Sequence, residues 1–468
     1  MFLMRIYLIF LFLFLAQLVF SQKLDSTVVQ IHFEDREVGS NVKNAKLVLV
    51  SNQKEIKEKT DFDGNGYFFK CDFDEKSTLT VVHPYYSDTL IRKINKRLPR
   101  ISSDTLLIEF TLRFEGQMNE DFVVFSEQLP DTIFGSEKVS VADFELLPNG
   151  DILLLAYEKR LNKSSDVYLW SDGEVMSTTS INARAKELTK DFRGNVHILC
   201  DKEVISVVVD NYKRVQLGTM DKAYYFKYLA PIVDSSYSSY FFSNYSDVYP
   251  AFEYFSFDKI DSTYKELMNI QDELMMELYR SEYKWVDVRT RIWAKEMERQ
   301  TGVDKVVWVG ANYFTQSIYY EELYAPLFKR NDTLFVFDHY KEQLFHLDLD
   351  GNKLDSIPIF YHLNERKTGW KKSILQDKVT GQLYTIYDRA GYTYIKHINT
   401  SDGKVSNSQR LHFRYVDKME IRNNKVYYVY RPFESVQKKF LYEEELKFDF
   451  DPAQEMLQGD DIVKNTGK

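Results

Sequence analysis

Apolar and polar residues alternate in short runs along most of the chain, and turn residues separate one run from the next. Residues 46–50, KLVLV, show the pattern, which predicts strands with one buried and one solvated face. Six such runs precede residue 113 and predict a small β-sandwich over residues 23–113. They comprise residues 28–33, 45–50, 66–71, 78–83, 89–94 and 105–112.

Between residues 120 and 448 the alternating runs come in groups of four. Hairpin turns such as PNG at 148–150 and SDG at 401–403 join runs within a group. Most groups repeat after roughly 35 to 50 residues, the length of a β-propeller blade. A lone four-stranded sheet cannot cover both of its faces, so blades stack in a ring. The pattern predicts a six-bladed β-propeller over 120–448, closed by residues 122–125 as outer strand of the last blade.

Residues 264–302 interrupt the propeller pattern with a helical period. Leu267, Leu274 and Leu278 share one side of a first predicted helix. Trp285 and Ile292 share a stripe of a second predicted helix over residues 284–299. The chain is therefore predicted to be all-β, with a small β-sandwich, a β-propeller and a helical insertion between two blades.

The helical insertion offers candidate anchors for a protein partner. Trp and Met are enriched in the cores of protein interfaces. This identifies Met275, Met276, Trp285 and Trp293 as the candidate partner-binding residues. The alternative is a helical hairpin whose apolar stripe packs on the propeller itself.

The N-terminus has the pattern of a cleavable signal peptide over residues 1–21. Arg5 precedes a run of apolar residues at 6–20 that is broken only by Gln17, and Ser21 suits cleavage before Gln22. The run is shorter than the roughly 20 residues of a spanning helix. A retained membrane anchor is the alternative. With no Cys beside the cleavage position, a lipoprotein anchor is not expected there, and we expect export to the periplasm or cell surface of a Gram-negative bacterium.

Composition narrows the classes of partner. Tyr and Phe number 33 and 34, which favours strands, while the net charge of -9 comes without any dense basic stripe. Nucleic acid is therefore not an expected partner. Cys71 and Cys200 lie far apart in sequence and are expected to be buried thiols, with a disulfide as the alternative. Residues 449–468 form an acidic, polar tail that is expected to be flexible.

Two regions resemble known families. Gly39, Val42 and Ala45, followed by TDFDGNGYF at 60–68, resemble the carboxypeptidase regulatory-like (transthyretin-like) domain. That resemblance implies a non-catalytic folding or docking module. Residues 334–351 and 380–403 resemble the six-bladed propellers of exported bacterial envelope proteins, by pattern and without an invariant motif.

The loop at residues 61–66 permits a second interpretation. Asp61, Asp63 and Asn65 occupy positions 1, 3 and 5 of an EF-hand-type calcium loop, but position 12 is Asp72, where the loop uses Glu. Asp, Asn and Gly also suit a tight hairpin, because they tolerate left-handed backbone angles. A hairpin turn is the primary interpretation and calcium the alternative; no other cofactor is indicated.

The sequence contains no linear catalytic signature. Its eight His residues are scattered singly, and zinc spacing, nucleophile-elbow and phosphate-loop motifs are absent. We therefore predict an exported, non-catalytic binding or scaffolding protein of the bacterial cell envelope, with a protein or glycan partner. One version is an accessory subunit of an outer-membrane transport or secretion assembly. The alternatives are a propeller-type carbohydrate hydrolase or lyase, and a calcium-stabilised surface adhesin.

Overall fold

A computed structural model describes residues 28–36, 39, 41–51, 54–61, 64–69, 77–83, 85–92, 105–113, 124–125, 129–161, 163–247, 249–301, 303–314, 320, 322–432 and 438–448. The signal segment 1–21, the tail 449–468, Asp63 and Cys71 lie outside these residues. Cys200 is a buried free thiol. The chain divides into two compact units, Met1–Asp121 and Phe122–Lys468.

The described part of the first unit contains seven strands in two sheets. In one sheet β1 pairs antiparallel with β4 and parallel with β7. The other is antiparallel, in the order β3-β2-β5-β6. The strands are β1 (Val28–Asp35), β2 (Lys46–Ser51), β3 (Lys54–Lys59), β4 (Asn65–Phe69), β5 (Thr78–His83), β6 (Tyr86–Arg92) and β7 (Thr105–Leu112).

Alternating apolar residues of both sheets form the core of this unit. Ile31 and Phe33 of β1 and Leu47 and Leu49 of β2 are fully buried. Gly66 leaves room for Leu47, whose Cδ1 would lie 2.1 Å from a Cβ at that position. Alternation does not reveal β3, because this edge strand is exposed along its length and consists of charged residues around one Ile. The assignment to the carboxypeptidase regulatory-like sandwich stays a prediction.

The second unit is a β-propeller of six four-stranded blades. In blades 1–4 the four antiparallel strands follow chain order across the sheet, and the first strands of neighbouring blades approach one another. The strands of blades 1–3 are β10 (Ser140–Leu146), β11 (Ile152–Tyr157), β12 (Ser165–Ser171), β13 (Glu174–Ile181), β14 (Ala185–Lys190), β15 (Val196–Cys200), β16 (Glu203–Val209), β17 (Val215–Asp221), β18 (Ile232–Ser235), β19 (Ser239–Ser243), β20 (Ala251–Asp258) and β21 (Tyr264–Gln271).

The strands of blades 4–6 are β22 (Leu327–Arg330), β23 (Thr333–Asp338), β24 (Gln343–Asp348), β25 (Lys353–Pro358), β26 (Trp370–Gln376), β27 (Leu383–Arg389), β28 (Tyr392–His397), β29 (Gln409–Arg414), β30 (Asp417–Arg422), β31 (Lys425–Tyr430) and β32 (Phe440–Glu445). β9 (Asp131–Phe134) completes blade 6 as its fourth strand, antiparallel to β32. Since β9 precedes blade 1 in sequence, the chain closes its own ring.

The position of the closing strand corrects the sequence-based prediction, which assigns that role to residues 122–125. β8 (Val124–Phe125) instead pairs in parallel with β29 and adds a fifth strand to blade 5. The prediction that a strand before blade 1 closes the ring is confirmed, but the strand lies later. Short apolar runs look alike in sequence, and only the pairing register with β32 distinguishes them.

Apolar side chains fill most of the space between blades. Separate buried clusters join blades 6 and 1, 1 and 2, 3 and 4, 4 and 5, and 5 and 6. At the junction of blades 6 and 1, Phe134 of β9 packs edge-on against Trp170 at 5.5 Å between ring centroids. Blade-to-blade burial thus holds the ring together, as expected for stacked sheets.

The helical insertion begins later than predicted. Residues Tyr264–Gln271 form β21, the outer strand of blade 3, with Leu267 and Ile270 buried. Spacings of three and four residues occur in helices and also in a strand that carries a bulge, as β21 does at Leu267, which lies unpaired between the partners of Tyr254 and Phe255. The insertion then contains α2 (Glu273–Trp285), α3 (Val288–Thr301) and an unpredicted third helix, α4 (Lys305–Phe314); the short helices α1 (Lys222–Tyr224) and α5 (Glu365–Thr368) lie before blades 3 and 5. No helix within the described ranges has the length and hydropathy needed to cross a bilayer.

Candidate functional site

All links between consecutive blades lie on one side of the ring, which we term the connection face. Four antiparallel strands return the chain to the side where the blade began, so each link starts and ends there. This topology gathers α1, the α2–α4 insertion and α5 on the same side. Loops within blades on that side contact the insertion: the Tyr320 hydroxyl donates to the Asp247 carbonyl at 2.8 Å, and the Tyr340 hydroxyl to Asp272 Oδ1 at 2.8 Å.

Local chemistry determines where the insertion starts and how its helices pack. Asp272 caps α2, because its Oδ1 accepts from the Met275 amide at 2.8 Å. α4 packs against both α2 and α3. Gly310 of α4 lies flat on the Tyr279 ring, where any Cβ would come within 2.1 Å of ring carbon Cδ1. Packing of this kind orients the remaining faces of α2 and α3.

The structure separates the four predicted anchor residues into two pairs. Met275 and Met276 are buried within the chain. Trp285 is 82% exposed and Trp293 is 41% exposed. Only the tryptophans are therefore presented to solvent, at and after the end of α2. Other exposed apolar side chains of the insertion are Leu274, Leu278, Val288, Ile292 and Val303. We call these seven exposed side chains the insertion patch.

The polar surroundings of the insertion patch are basic on α3. This helix carries four basic and two acidic residues. Both acidic residues are paired, Glu296 with Arg299 at 2.7 Å and Glu298 with Lys305 at 3.2 Å. An excess of positive charge thus accompanies the exposed apolar residues of α3, in a chain whose net charge is -9.

A second feature lies where the inner strands of blades 6, 1 and 2 meet. Lys190 of β14 places its Nζ 2.6 Å from Glu145 Oε2 and 2.9 Å from Glu420 Oε2. Lys418 Nζ of β30 lies 3.2 Å from both Asp143 Oδ1 and Glu145 Oε1 of β10. We call these five side chains the channel charge cluster. The last blade is thereby joined by ion pairs to the first two, from which it is distant in sequence.

Backbone irregularities aim these side chains. β10 carries a bulge between Val141 and Asp143, and β30 carries one between Asp417 and Met419. Lys418 is the bulged residue and has φ of 25°. A bulge re-aims a side chain relative to regular alternation. Sequence analysis missed the cluster; the only signal was the i, i+2 spacing of Asp143 and Glu145, which puts both on one side of a strand.

The pKa values of Glu420 and Glu145 are shifted in opposite directions. Desolvation, reinforced by the neighbouring charge of Glu145, raises the pKa of Glu420 to about 8. The pKa of Glu145 is lowered, because hydrogen bonding to Glu420 and the charges of Lys190 and Lys418 outweigh its own desolvation. A neutral Glu420 beside an ionised Glu145 is therefore the state near neutral pH.

The geometry of the channel charge cluster suits a structural role in the ring and does not match a glycosidase active site. Glycosidases separate their two carboxyl groups by about 5–9 Å so that sugar and water fit between them. Glu145 and Glu420 instead both contact the same Lys190 ammonium, at 2.6 and 2.9 Å, so the cation occupies the space between them. The hydrolase alternative gains no support from the cluster, which joins the first, second and last blades.

The pH dependence of stability tests the protonation of Glu420. A carboxyl whose folded pKa lies above its unfolded value stabilises fully below the unfolded pKa of 4.5 and loses that contribution as the pH rises through about 8. Glu420→Gln mimics the neutral form, so we expect it to match the parent near pH 5 and to be more stable near pH 9, measured by urea denaturation. Histidine titration affects the free energy of unfolding of both proteins alike, so it drops out of the difference between them at each pH. A parallel pH dependence in both would contradict the assignment.

The predicted calcium loop forms a hairpin turn where it is described. Asp61 Oδ1 accepts from the Asn65 amide at 2.7 Å, and the Asp61 amide donates to the Asn65 carbonyl at 2.8 Å. The same turn chemistry recurs in the propeller at Asp191 and Asp348. Over the described ranges, no group of three or more His, Cys, Asp or Glu side chains is close enough to hold a metal ion.

Comparison with known proteins adds distant structural neighbours. A catalytically inactive virginiamycin B lyase from Staphylococcus aureus with quinupristin is 8% identical, with a TM-score of 0.30, over 68% of this chain and 88% of the other. Regucalcin, a calcium-binding protein from Agrobacterium tumefaciens, is 9% identical, with a TM-score of 0.30, over 70% and 98%. BamB from Moraxella catarrhalis is 6% identical, with a TM-score of 0.28, over 65% and 85%.

No protein-family model and no curated protein sequence matches the chain. The structural likenesses are too distant to bear on activity. The assignment as a propeller therefore rests on the six blades and their closure.

Proposed function

We propose that this chain is an exported scaffold of the bacterial cell envelope that docks a protein partner through the insertion patch. The observation that carries the proposal is Trp285, a large aromatic side chain that is 82% exposed on packed helices. Large exposed apolar groups held close together characterise interaction surfaces. The propeller acts as the rigid support, and the N-terminal module as a docking or spacing unit. Export through residues 1–21 would bring this surface to the periplasm or the cell surface.

The chemistry of the patch defines the partner that suits it. Trp285, Val288 and Ile292 require an apolar groove, and Arg289 and Lys295 favour carboxylates at its rim. A partner protein with an apolar groove edged by Asp and Glu satisfies both demands. Supporting interactions within the chain, such as the edge-on contact of Trp293 and Trp308 at 6.1 Å, hold the patch in place.

Site-specific photocrosslinking in the native organism tests this proposal. A photoreactive phenylalanine analogue at Trp285 is expected to give a discrete cross-linked protein in the envelope fraction. The matched control is the same analogue at Tyr212, which is 80% exposed in a turn on the opposite side of the ring. The double variant Arg289→Glu/Lys295→Glu should weaken the Trp285 adduct at least tenfold, because it places like charges against an acidic rim.

Three outcomes would contradict the proposal. Adducts of equal yield at Trp285 and Tyr212 would show that the patch has no preferred partner. An unchanged adduct yield in the charge-reversal variant would show that the partner has no acidic rim facing Arg289 and Lys295. Binding of the purified protein to anionic phospholipid vesicles, lost on Trp285→Ala, would identify a membrane surface as the occupant instead.

A further inference from the structure

The junction between blades 2 and 3 differs from the other five. It contains a cavity of about 550 Å³, whereas apolar clusters fill the remaining junctions among the described residues. On β15 and β16, Ile198 and Ile205 belong to the apolar cluster shared with blade 1. His197 and Ser206, which are paired across these strands, line the cavity together with Val196, Val207 and Val208.

A buried hydrogen-bond chain fixes this polar wall. Asp191 accepts from the amides of Arg193 and Asn195, each at 2.9 Å, which holds its pKa below the ordinary value even though burial opposes this. The carboxylate oxygen Oδ2 lies 3.4 Å from His197 Nε2. The Ser206 hydroxyl, directly across the strand pair, is hydrogen-bonded to His197 Nδ1 at 3.2 Å. Asp191, His197 and Ser206 are thus hydrogen-bonded to one another. The residues at the two ends of the cavity therefore determine which ligand fits.

The two ends of the cavity differ in chemistry. Met220, Leu229 and Ile232 line one end, towards the connection face. Asp191, Arg193 and Tyr240 line the other, at the turns on the opposite side of the ring. The Asp191 side chain is only 5% exposed and is bonded within its own turn, so Arg193 is the charge that this end presents to a ligand.

Arg193 has no carboxylate partner among the described side chains. Its guanidinium donates to the Tyr240 hydroxyl at 3.2 Å and lies 5.3 Å from the centre of the Phe192 ring. Arg214, in the next turn on the same side of blade 2, is instead paired with Asp210 at 2.9 Å. The charge of Arg193 is thus available to an anion, whereas that of Arg214 is neutralised.

We propose that this cavity binds a small amphiphile with an apolar body and one anionic head. The apolar body lies against Met220, Leu229 and Ile232, and the head receives hydrogen bonds from Arg193 and Tyr240. The volume falls within the range of about 300–1,000 Å³ that is typical of small-molecule sites. A planar guanidinium suits a carboxylate head in particular.

Decanoate is the probe for this site, with decanol as its uncharged counterpart. We expect saturable binding of decanoate by isothermal titration calorimetry and a ligand-dependent rise in Tm. Arg193→Met should weaken decanoate binding at least tenfold and leave decanol binding unchanged. Arg214→Met is the matched control and should bind decanoate like the parent. Val208→Trp, at a 57% exposed position on the cavity wall, should reduce binding of both ligands without disturbing the core.

The proposal fails if decanoate and decanol bind equally well, because the cationic end then selects nothing. Equal losses of decanoate affinity from Arg193→Met and Arg214→Met would show that general surface charge, and not a specific site, attracts the ligand. Full binding by Val208→Trp would locate the ligand elsewhere, and absence of decanoate binding would overturn the proposal outright. The docking function through the insertion patch is independent of all four outcomes.

Discussion

Lys190→Met is expected to lower the free energy of unfolding by about 3 kcal/mol, because it leaves two buried carboxyl groups without their shared cation. Lys190 lies within 3.0 Å of Glu145 and Glu420, whose side chains are 6% and 19% exposed. The loss should be larger at pH 9 than at pH 6. With a pKa of about 8, Glu420 is neutral at the lower pH, whereas at the higher pH its charge would be buried without Lys190; Glu145 keeps Lys418 at 3.2 Å at both.

Lys186→Met on the same strand is the matched control. Lys186 pairs with Asp201 at 3.1 Å, but both side chains are largely exposed, so its loss should stay below about 0.5 kcal/mol. Urea denaturation of the three proteins at pH 6 and pH 9 gives the comparison. Equal losses from the two lysine variants would show that the channel charge cluster does not join the blades.

Phe134→Ala is expected to cost about 3–5 kcal/mol, the range for deleting a buried aromatic side chain. Phe134 is buried between blades 6 and 1, against Trp170 and in the cluster with Val429 and Leu441. Its strand also completes blade 6, so the variant loosens the closure of the ring. Amide hydrogen exchange should therefore become faster in β32 than in β16, which lies away from the closure.

Phe226→Ala is the control for this substitution. Phe226 is 48% exposed in the link before blade 3, and its truncation should cost less than about 1 kcal/mol. If Phe134→Ala were as mild, or if exchange rose uniformly over all blades, β9 would not be the element that closes the ring.

The elements that sequence analysis identified and missed follow a physical rule. Strands such as β23 and β27, buried on one or both faces, are visible as apolar runs with turn residues at their ends. β3 is charged throughout because it is an exposed edge strand. β21 was assigned to the helical insertion because its buried residues, Leu267 and Ile270, are three apart, the result of a bulge in the paired strands.

The candidate sites show the same division. Periodicity identified the helical insertion and its aromatic residues. Helical spacing alone does not show which face of α2 or α3 packs against α4 and which face is exposed. The structure buries Met275 and Met276 and exposes Trp285 and Trp293. The channel charge cluster joins residues 143 and 420, and no local pattern reports so distant a contact.

The sequence by itself determined that this chain is all-β, that its larger part repeats as propeller blades, and that a helical insertion interrupts them. Alternation, turn residues and helical period are local properties, so they can be read from neighbouring positions. Only the tertiary structure decided which strand closes the ring, which apolar residues remain exposed, and where Glu145, Lys190 and Glu420 meet. Each of these depends on register and burial between segments that are distant in sequence, as does the cavity at Arg193, whose lining combines residues of blades 2 and 3.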